Sequence, residues 1–228
     1  MNELTQLIHR GIRRNGVISF EQFMELALYE PGLGYYETQR EVGKEGDFFT
    51  SVSVGTLFGE LLAFQFAQWL EGIDGSIQLI EAGAYNGQLS CDILNTLKQW
   101  HPVIYKKVSV IIVEPSKQHK QWQAEALTEH KGKVEWRREI PKQIRGIFFC
   151  NELLDAFPVQ RLGWDADGKT WFEWGVGSRG DHFAWQRMEN LPVRFGFEEV
   201  LPDGYVTVES PRGEVFWAIV SGSLSEGR

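Results

Sequence analysis

The chain has 228 residues, 43% of them hydrophobic, which suffices to fill the core of one large domain or of a domain carrying an insertion. Its 23 basic and 31 acidic side chains leave a formal net charge of −8, which argues against a general nucleic-acid or anionic-membrane surface and suits a cationic partner. Cys91 and Cys150 lie in apolar contexts without CxxC or Cys/His ligand spacing, so they read as reduced core residues of an intracellular protein, and no metal site is indicated.

In chain order, the first predicted element is a helix in MNELTQLIHRGIRRNG, where Leu4, Leu7, Ile8 and Ile12 share one face. The segment carries an acid and lacks the apolar block of a signal peptide. No run approaches the ~20 apolar residues that cross a bilayer, so the sequence predicts a soluble protein without a membrane partner. A second amphipathic helix opens at Ser19, repeats Phe20, Phe23, Met24, Ala27 and Leu28 at helical intervals, and stops at Pro31 and Gly32. The stretch GLGYYETQREVGKEGDFFTS is too glycine-rich and polar for a helix, yet its aromatics Tyr35, Tyr36, Phe48 and Phe49 predict an ordered loop in which they pack. VGTLFGELLAFQFAQWLEG, apolar on most sides, predicts a third, buried helix.

From residue 77 short apolar runs alternate with helical stretches: IQLIEAG, a helix to about Trp100, VSVIIVEPS, a helix to about His130, KVEW, then GIFFCNE. Strands apolar on every residue and separated by helices predict a parallel sheet covered on both faces. Beyond residue 158, VQRLGWDADGKTWFEWGV and HFAWQRM alternate around Asp-Gly turns as an antiparallel meander, and SPRGEVFWAIVSGSL predicts a closing helix with Pro just inside its start. The expected domain division is 1–75 as an N-terminal helical and loop extension, 76–157 as an α/β core, and 158–228 as a β-rich insertion with its helix.

In an open α/β sheet ligands bind beyond the carboxyl ends of the strands. Those ends carry Glu81, Gly83 and Gly87 after the first run, Glu114 after the second, Trp136 and Arg137 after the third, and Asn151 and Glu152 after the fourth. A dinucleotide site needs G-x-G-x-x-G, but the matching positions are Gly83, Tyr85 and Gln88, so two of the three glycines are missing and a nicotinamide enzyme is disfavoured. The spacing is instead E-x-G-x-x-x-G, with Glu114 ending the next strand. On residues alone, Glu81 and Glu114 are either satisfied strand-end acids beside glycines needed for turns, or the walls of a ligand site. The five histidines show no ligand spacing and receive no role.

The segments ISFEQFMELALYEPGLGYY, GDFFTS, EAGAYNGQLSCDIL and NELLDAFPV stand in the order and kind seen in the MidA-like family of class I S-adenosylmethionine-dependent methyltransferases, which the chain resembles over nearly its whole length. That family includes mitochondrial complex I assembly-factor methyltransferases. The sequence departs from it where Val52 and Ser53 replace Pro-Glu, and where Ala84 and Tyr85 replace Pro-Gly. The resemblance implies a Rossmann-like class I methyltransferase sheet with an N-terminal helical extension and a β-rich insertion after the fourth strand. Because relatives continue past this point with further strands, it also implies a C-terminally truncated sheet, with GIFFC left without a neighbour or covered by the meander and helix, and self-association through that edge.

The cofactor implied is S-adenosylmethionine, held by Gly46, Asp47 and Thr50 of GDFFTS, by Glu81, Gly83, Tyr85 and Gly87 of the glycine turn, and by Glu114, whose carboxylate accepts from both ribose hydroxyls. Asp47, Thr50 and Ser51 are equally readable as caps of the next helix or as part of a lid. The acceptor implied is an arginine of a partner protein, such as a respiratory-complex subunit, with no nucleic acid involved. A guanidinium stays protonated and delocalised near pH 7, so carboxylates must hold it and localise its charge. Glu152 and Asp155, three residues apart, take that role with Asn151 as an orienting amide, against the alternative that they are first-turn acids of a helix. The chain then belongs in the cytoplasm, or in the mitochondrial matrix if eukaryotic. The competing function is a non-catalytic assembly scaffold that keeps the fold.

Overall fold

A computed structural model of the chain describes residues 2–38, 52 and 55–227. Helix α1 (Glu3–Asn15) begins where the Asn2 side chain accepts from the Thr5 N–H and ends at Gly16. A two-residue strand, β1 (Ile18–Ser19), leads into α2 (Phe20–Tyr29), whose entry is a reciprocal capping box: Ser19 Oγ accepts from the Gln22 N–H while the Gln22 side chain accepts from the Ser19 N–H. The predicted loop starts with one helical turn, α3 (Tyr35–Thr38). Tyr35 and Tyr36 pack as expected, Tyr36 stacked on Tyr29 at 5.5 Å and edge-on to Tyr35 at 5.3 Å. Phe48, Phe49 and Ser51 lie outside the described residues.

Two compact units divide the chain as 1–38 with 156–215, and 39–155 with 216–228, rather than in the contiguous blocks 1–75, 76–157 and 158–228. The reason lies in the first unit's core. Ile8 and Ile12 of α1 and Ile18 of β1 bury together with Val176, and β1 pairs antiparallel with the strand carrying that valine. That unit holds the predicted meander: β6 (Gln160–Asp165), β7 (Thr170–Arg179) and β8 (His182–Leu191) in antiparallel succession, with β9 (Val206–Glu209) returning beside β6. The β6–β7 turn is closed by Asp165 Oδ1, which accepts from the Gly168 N–H at 2.8 Å. Trp171, fully buried, packs with Leu162 and Trp164 on one face of this sheet. The closing helix runs over Pro211–Ser223 (α8, the eighth helix in chain order).

The second unit opens with α4 (Leu57–Leu70), then β2 (Ile77–Ala82), α5 (Gln88–Trp100), α6 (Pro102–Lys107), β3 (Val108–Val113), α7 (Lys117–Ala126), β4 (Val134–Arg137) and β5 (Ile144–Cys150). Helix α6, a short element started by Pro102, adds to the predicted list. Ile77 and Leu79 of β2 join Ala63, Phe66 and Leu70 of α4 in one cluster, while Ile80 joins Ile111 and Ile144 in another. Burial or half-burial on both faces of β2, β3 and β5 explains why their sequences are mostly apolar and lack a regular polar alternation.

The structure overturns the expectation for GIFFC. Residues Leu224–Gly227 form a further strand, β10, which pairs parallel with β5 through Leu224↔Ile144 and Gly227↔Gly146. The edge of β5 is thus occupied by a strand, neither left bare nor covered by the meander and helix. Among the described residues the sheet order is β10-β5-β2-β3-β4, with all neighbours parallel. The chain builds outward from β2 through β3 to β4, then returns to the other side of β2 with β5. The order reverses between β2 and β5, which makes the carboxyl ends of these two strands a topological switch point.

Candidate functional site

Register brings the strand ends level. Ala82 of β2 lies opposite Val113 of β3 on one side and Cys150 of β5 on the other, so Gly83, Glu114 and Asn151 leave the sheet at one height.

Glu81, the penultimate residue of β2, is 2% exposed, and its carboxylate accepts from the Ser90 hydroxyl in the first turn of α5. Burial raises its pKa from 4.5 to about 7, and hydrogen bonds from the Ser90 side chain and backbone offset only part of that. Close to pH 7 this group is therefore as much carboxylic acid as carboxylate. Burial, followed by the effect of Glu81, also pushes the Cys150 thiol up.

The turn from β2 to α5 contains three residues with positive φ: Gly83 at 71°, Tyr85 at 47° and Gly87 at 84°. Gly87 occupies the N-cap of α5 in the left-handed conformation, and a Cβ there would lie 3.0 Å from the Gln123 Cα of α7. What its missing side chain admits is the backbone of a neighbouring helix. A Cβ on Gly83 would lie 2.8 Å from Leu153 Cδ1, so this glycine seats the turn that follows β5 against the turn that follows β2. Both conformation and contact oppose a side chain at this position. Gly83→Ala is expected to lower stability by about 1–2 kcal/mol, the clash being eased by rotation of Leu153. Urea unfolding checks this, and an unchanged midpoint would show that the turn relaxes freely.

Glu114 follows β3 and is buried. Its Oε1 accepts from the Ser116 N–H at 2.8 Å, its Oε2 accepts from Gln123 Nε2 at 2.9 Å, and His119 Nδ1 stands 3.3 Å from Oε2. Three protein contacts thus meet a carboxylate with about four acceptor positions. A cis-diol would bring two more donors, so the donor chemistry fits provided one contact gives way, and the 3.3 Å contact with His119 is the weakest. The His119 ring stacks on Trp122 at 5.2 Å, and the Tyr85 ring stands edge-on to both at 5.4 and 5.9 Å. Tyr85 thus places an aromatic ring beside α7 from the position where the family pattern has glycine.

On the far side of the switch point, Asn151 is half-buried, while Glu152 and Asp155 are exposed. Glu152 has φ 48°, one of four described non-glycine residues with positive φ. The segment beyond it holds a single 3-10 turn, Leu154–Ala156, and no α-helix begins there. The helix-dipole account of these two acids therefore loses its helix.

Gly46, Asp47 and Thr50 lie outside the described residues. Of the remaining expected residues, the fold brings Glu81, Gly83, Tyr85, Gly87 and Glu114 to the β2–β3 side, and Asn151, Glu152 and Asp155 to the end of β5. Sequence reasoning missed His119, Gln123 and Trp136 as members of the cluster around Glu114. The available signal was their spacing: His119 and Gln123 are four apart in α7 and share a face. Among the described residues no group of three or more His, Cys, Asp or Glu is arranged to hold a metal ion, and no helix is long and apolar enough to cross a membrane.

A parallel sheet that reverses order beside a glycine turn, with an acid ending the next strand, defines a Rossmann-like α/β fold of the methyltransferase class. Residues 61–227 match the family described as "Putative S-adenosyl-L-methionine-dependent methyltransferase", and the chain belongs to that family. A COG1565 superfamily protein from Burkholderia thailandensis, solved bound to S-adenosyl-homocysteine, superposes with a TM-score of 0.79 at 26% identity, covering 98% of this chain and 60% of that one. A second COG1565 structure from the same organism gives 0.77 at 28% identity, covering 98% and 59%. Among curated proteins, "Protein arginine methyltransferase NDUFAF7, mitochondrial" from Bos taurus is 35% identical over 147 residues, which is 63% of this chain and 33% of that protein. Its Caenorhabditis elegans homolog is 30% identical over 198 residues, 75% of this chain and 45% of the relative. The matches thus span less than half the length of these two curated relatives.

Proposed function

We propose that this chain binds S-adenosylmethionine and directs its methyl group to an arginine of a partner protein. Glu81, Gly83, Tyr85, Gly87 and Glu114 lie on the cofactor side, and Asn151, Glu152 and Asp155 on the acceptor side. The observation that carries this reading is the reversal of strand order between β2 and β5, with positive-φ residues Tyr85 and Glu152 on its two sides. Family membership and a relative solved with the demethylated cofactor support it. Gly46, Asp47 and Thr50 join the cofactor side on family resemblance alone.

When bound, S-adenosylmethionine supplies an electrophilic methyl group on a sulfonium. The chain's part is alignment and exclusion of water, with Glu114 accepting from the ribose hydroxyls and Gly83 holding the glycine turn in its positive-φ shape against Leu153. Exposed carboxylates at 152 and 155 hold a guanidinium, concentrate its positive charge, and accept the proton that the methylated nitrogen releases. Glu152→Gln and Asp155→Asn are expected to slow turnover by about 100-fold while leaving cofactor affinity within about threefold. Equal losses of rate and affinity would move these residues to the cofactor side.

The names of the curated relatives favour a protein acceptor and, in a eukaryotic source, a mitochondrial location; they lend nothing to a cytoplasmic site. Calorimetric titration with S-adenosylhomocysteine, followed by mass spectrometry of a protein fraction incubated with methyl-labelled cofactor, tests the reading. Micromolar binding and label on arginine are expected. Absence of binding at millimolar concentration would turn the assignment to the scaffold, a reading favoured by the close packing around Glu114.

A further inference from the structure

Gln123 lies in the second turn of α7 and is 0% exposed. Its side chain makes three hydrogen bonds, each to a different part of the unit. Nε2 donates to Glu114 Oε2 at 2.9 Å and to the Tyr85 carbonyl at 3.0 Å, while Oε1 accepts from the Trp136 indole N–H at 2.9 Å. Both amide protons and the amide oxygen are thus engaged, and a buried amide in this state has one low-energy orientation. The Gln123 backbone is fixed as well, since it occupies the space left by the missing Cβ of Gly87.

Two of the groups bound by this amide are the acid after β3 and the middle of the glycine turn. Glu114 cannot rotate its Oε2 away without breaking a contact to a fully buried donor, and the Tyr85 peptide cannot leave its φ of 47° without releasing the other. The Trp136 N–H ties the same amide to β4, at the edge of the sheet. A hydrocarbon of equal size would fill the volume and fix neither. A carboxylate would keep the Trp136 bond, lose both donors, and set a second acceptor against Glu114.

We infer that Gln123 is a positioning residue, one that holds the Glu114 carboxylate and the Tyr85 peptide in a single fixed relation without touching a ligand itself. The inference rests on the proposed cofactor side, because what those two groups are held for is the adenosyl moiety. It assigns to α7 a share in cofactor affinity that is absent from both the glycine turn and the strand-end acid.

The test is calorimetry with S-adenosylhomocysteine on the whole chain and on Gln123→Met, Gln123→Glu and the exchanged pair Glu114→Gln with Gln123→Glu. Each is measured below its melting transition, with folding verified by circular dichroism. Gln123→Met is expected to weaken binding at least tenfold, and Gln123→Glu further. The exchanged pair puts the donor at 114 and the acceptor at 123. It is expected to bind more tightly than the product of the two single losses predicts, because the bond between the positions is remade. Binding by the whole chain with unchanged affinity in folded Gln123→Met would overturn the positioning role alone. Failure of the unmodified chain to bind at millimolar concentration would overturn the cofactor reading and this role with it. If Gln123→Met fails to fold, the double-mutant comparison decides: losses that simply multiply would overturn the proposal.

Discussion

Replacing Glu81 by Gln is expected to abolish a decline of about 3 kcal/mol in stability that the unmodified chain undergoes between about pH 4.5 and pH 7. In the unfolded chain this carboxyl ionises near 4.5, whereas burial beneath the glycine turn holds its pKa at about 7 in the folded protein. Between those values the folded state retains a proton that the unfolded state has released, so stability falls as pH rises. Below 4.5 both states are protonated, and above about 7 both are ionised with the whole penalty in place. At about 1.4 kcal/mol per pH unit, the interval amounts to about 3 kcal/mol. Glutamine is neutral throughout and retains an oxygen to accept from the Ser90 hydroxyl, so its contribution is flat. Urea unfolding of both proteins at pH 5 and pH 8 gives the comparison in which other titrating groups cancel. The variant should gain relative to the parent at pH 8 and stay near it at pH 5. Parallel shifts at the two values would mean that Glu81 ionises normally and that water reaches it.

The same residue illustrates what a sequence can carry. The runs IQLI, VSVIIV and GIFFC were legible as parallel strands because both faces of each are buried or half-buried, which leaves no polar alternation. The entry to α2 was legible because its cap is local, with Ser19 and Gln22 within one turn. The residues SEG within β10 carry no apolar signal, since their side chains stay exposed and pairing with β5 alone makes them a strand. The joining of α1 to the meander rests on Ile8, Ile12 and Ile18 meeting Val176, a contact about 160 residues apart in the chain and invisible to periodicity. For the candidate site, spacing disclosed Glu81, Gly83, Gly87 and Glu114. The polar cluster behind them was hidden because a glutamine in the second turn of an amphipathic helix looks like a solvated residue. Only the closeness of Gly87 to its Cα, and of Trp136 to its Oε1, explains why Gln123 is buried.

Glu114→Ala is expected to weaken S-adenosylhomocysteine binding by about ten- to a hundredfold, equivalent to about 1.5–3 kcal/mol for the loss of a charge-assisted pair of hydrogen bonds. The same change acts on the free protein. It strips the half-buried Ser116 N–H and one buried Gln123 amide proton of their acceptor, and a buried donor left unpaired costs about 1–3 kcal/mol in stability. The two effects separate by temperature: the folded variant, held well below its transition, reports affinity, and its melt reports the orphaned donors. Glu114→Gln provides the second comparison, since it keeps the shape and one acceptor oxygen while removing charge. A ribose diol bound by both carboxylate oxygens loses one of them in this variant, so an affinity between those of the parent and the alanine variant is expected. A contact through charge alone would instead bring the glutamine variant down to the level of alanine. If both variants bind like the parent while melting lower, Glu114 serves only to satisfy Ser116 and Gln123, and the ribose must be held elsewhere on the β2–β3 side.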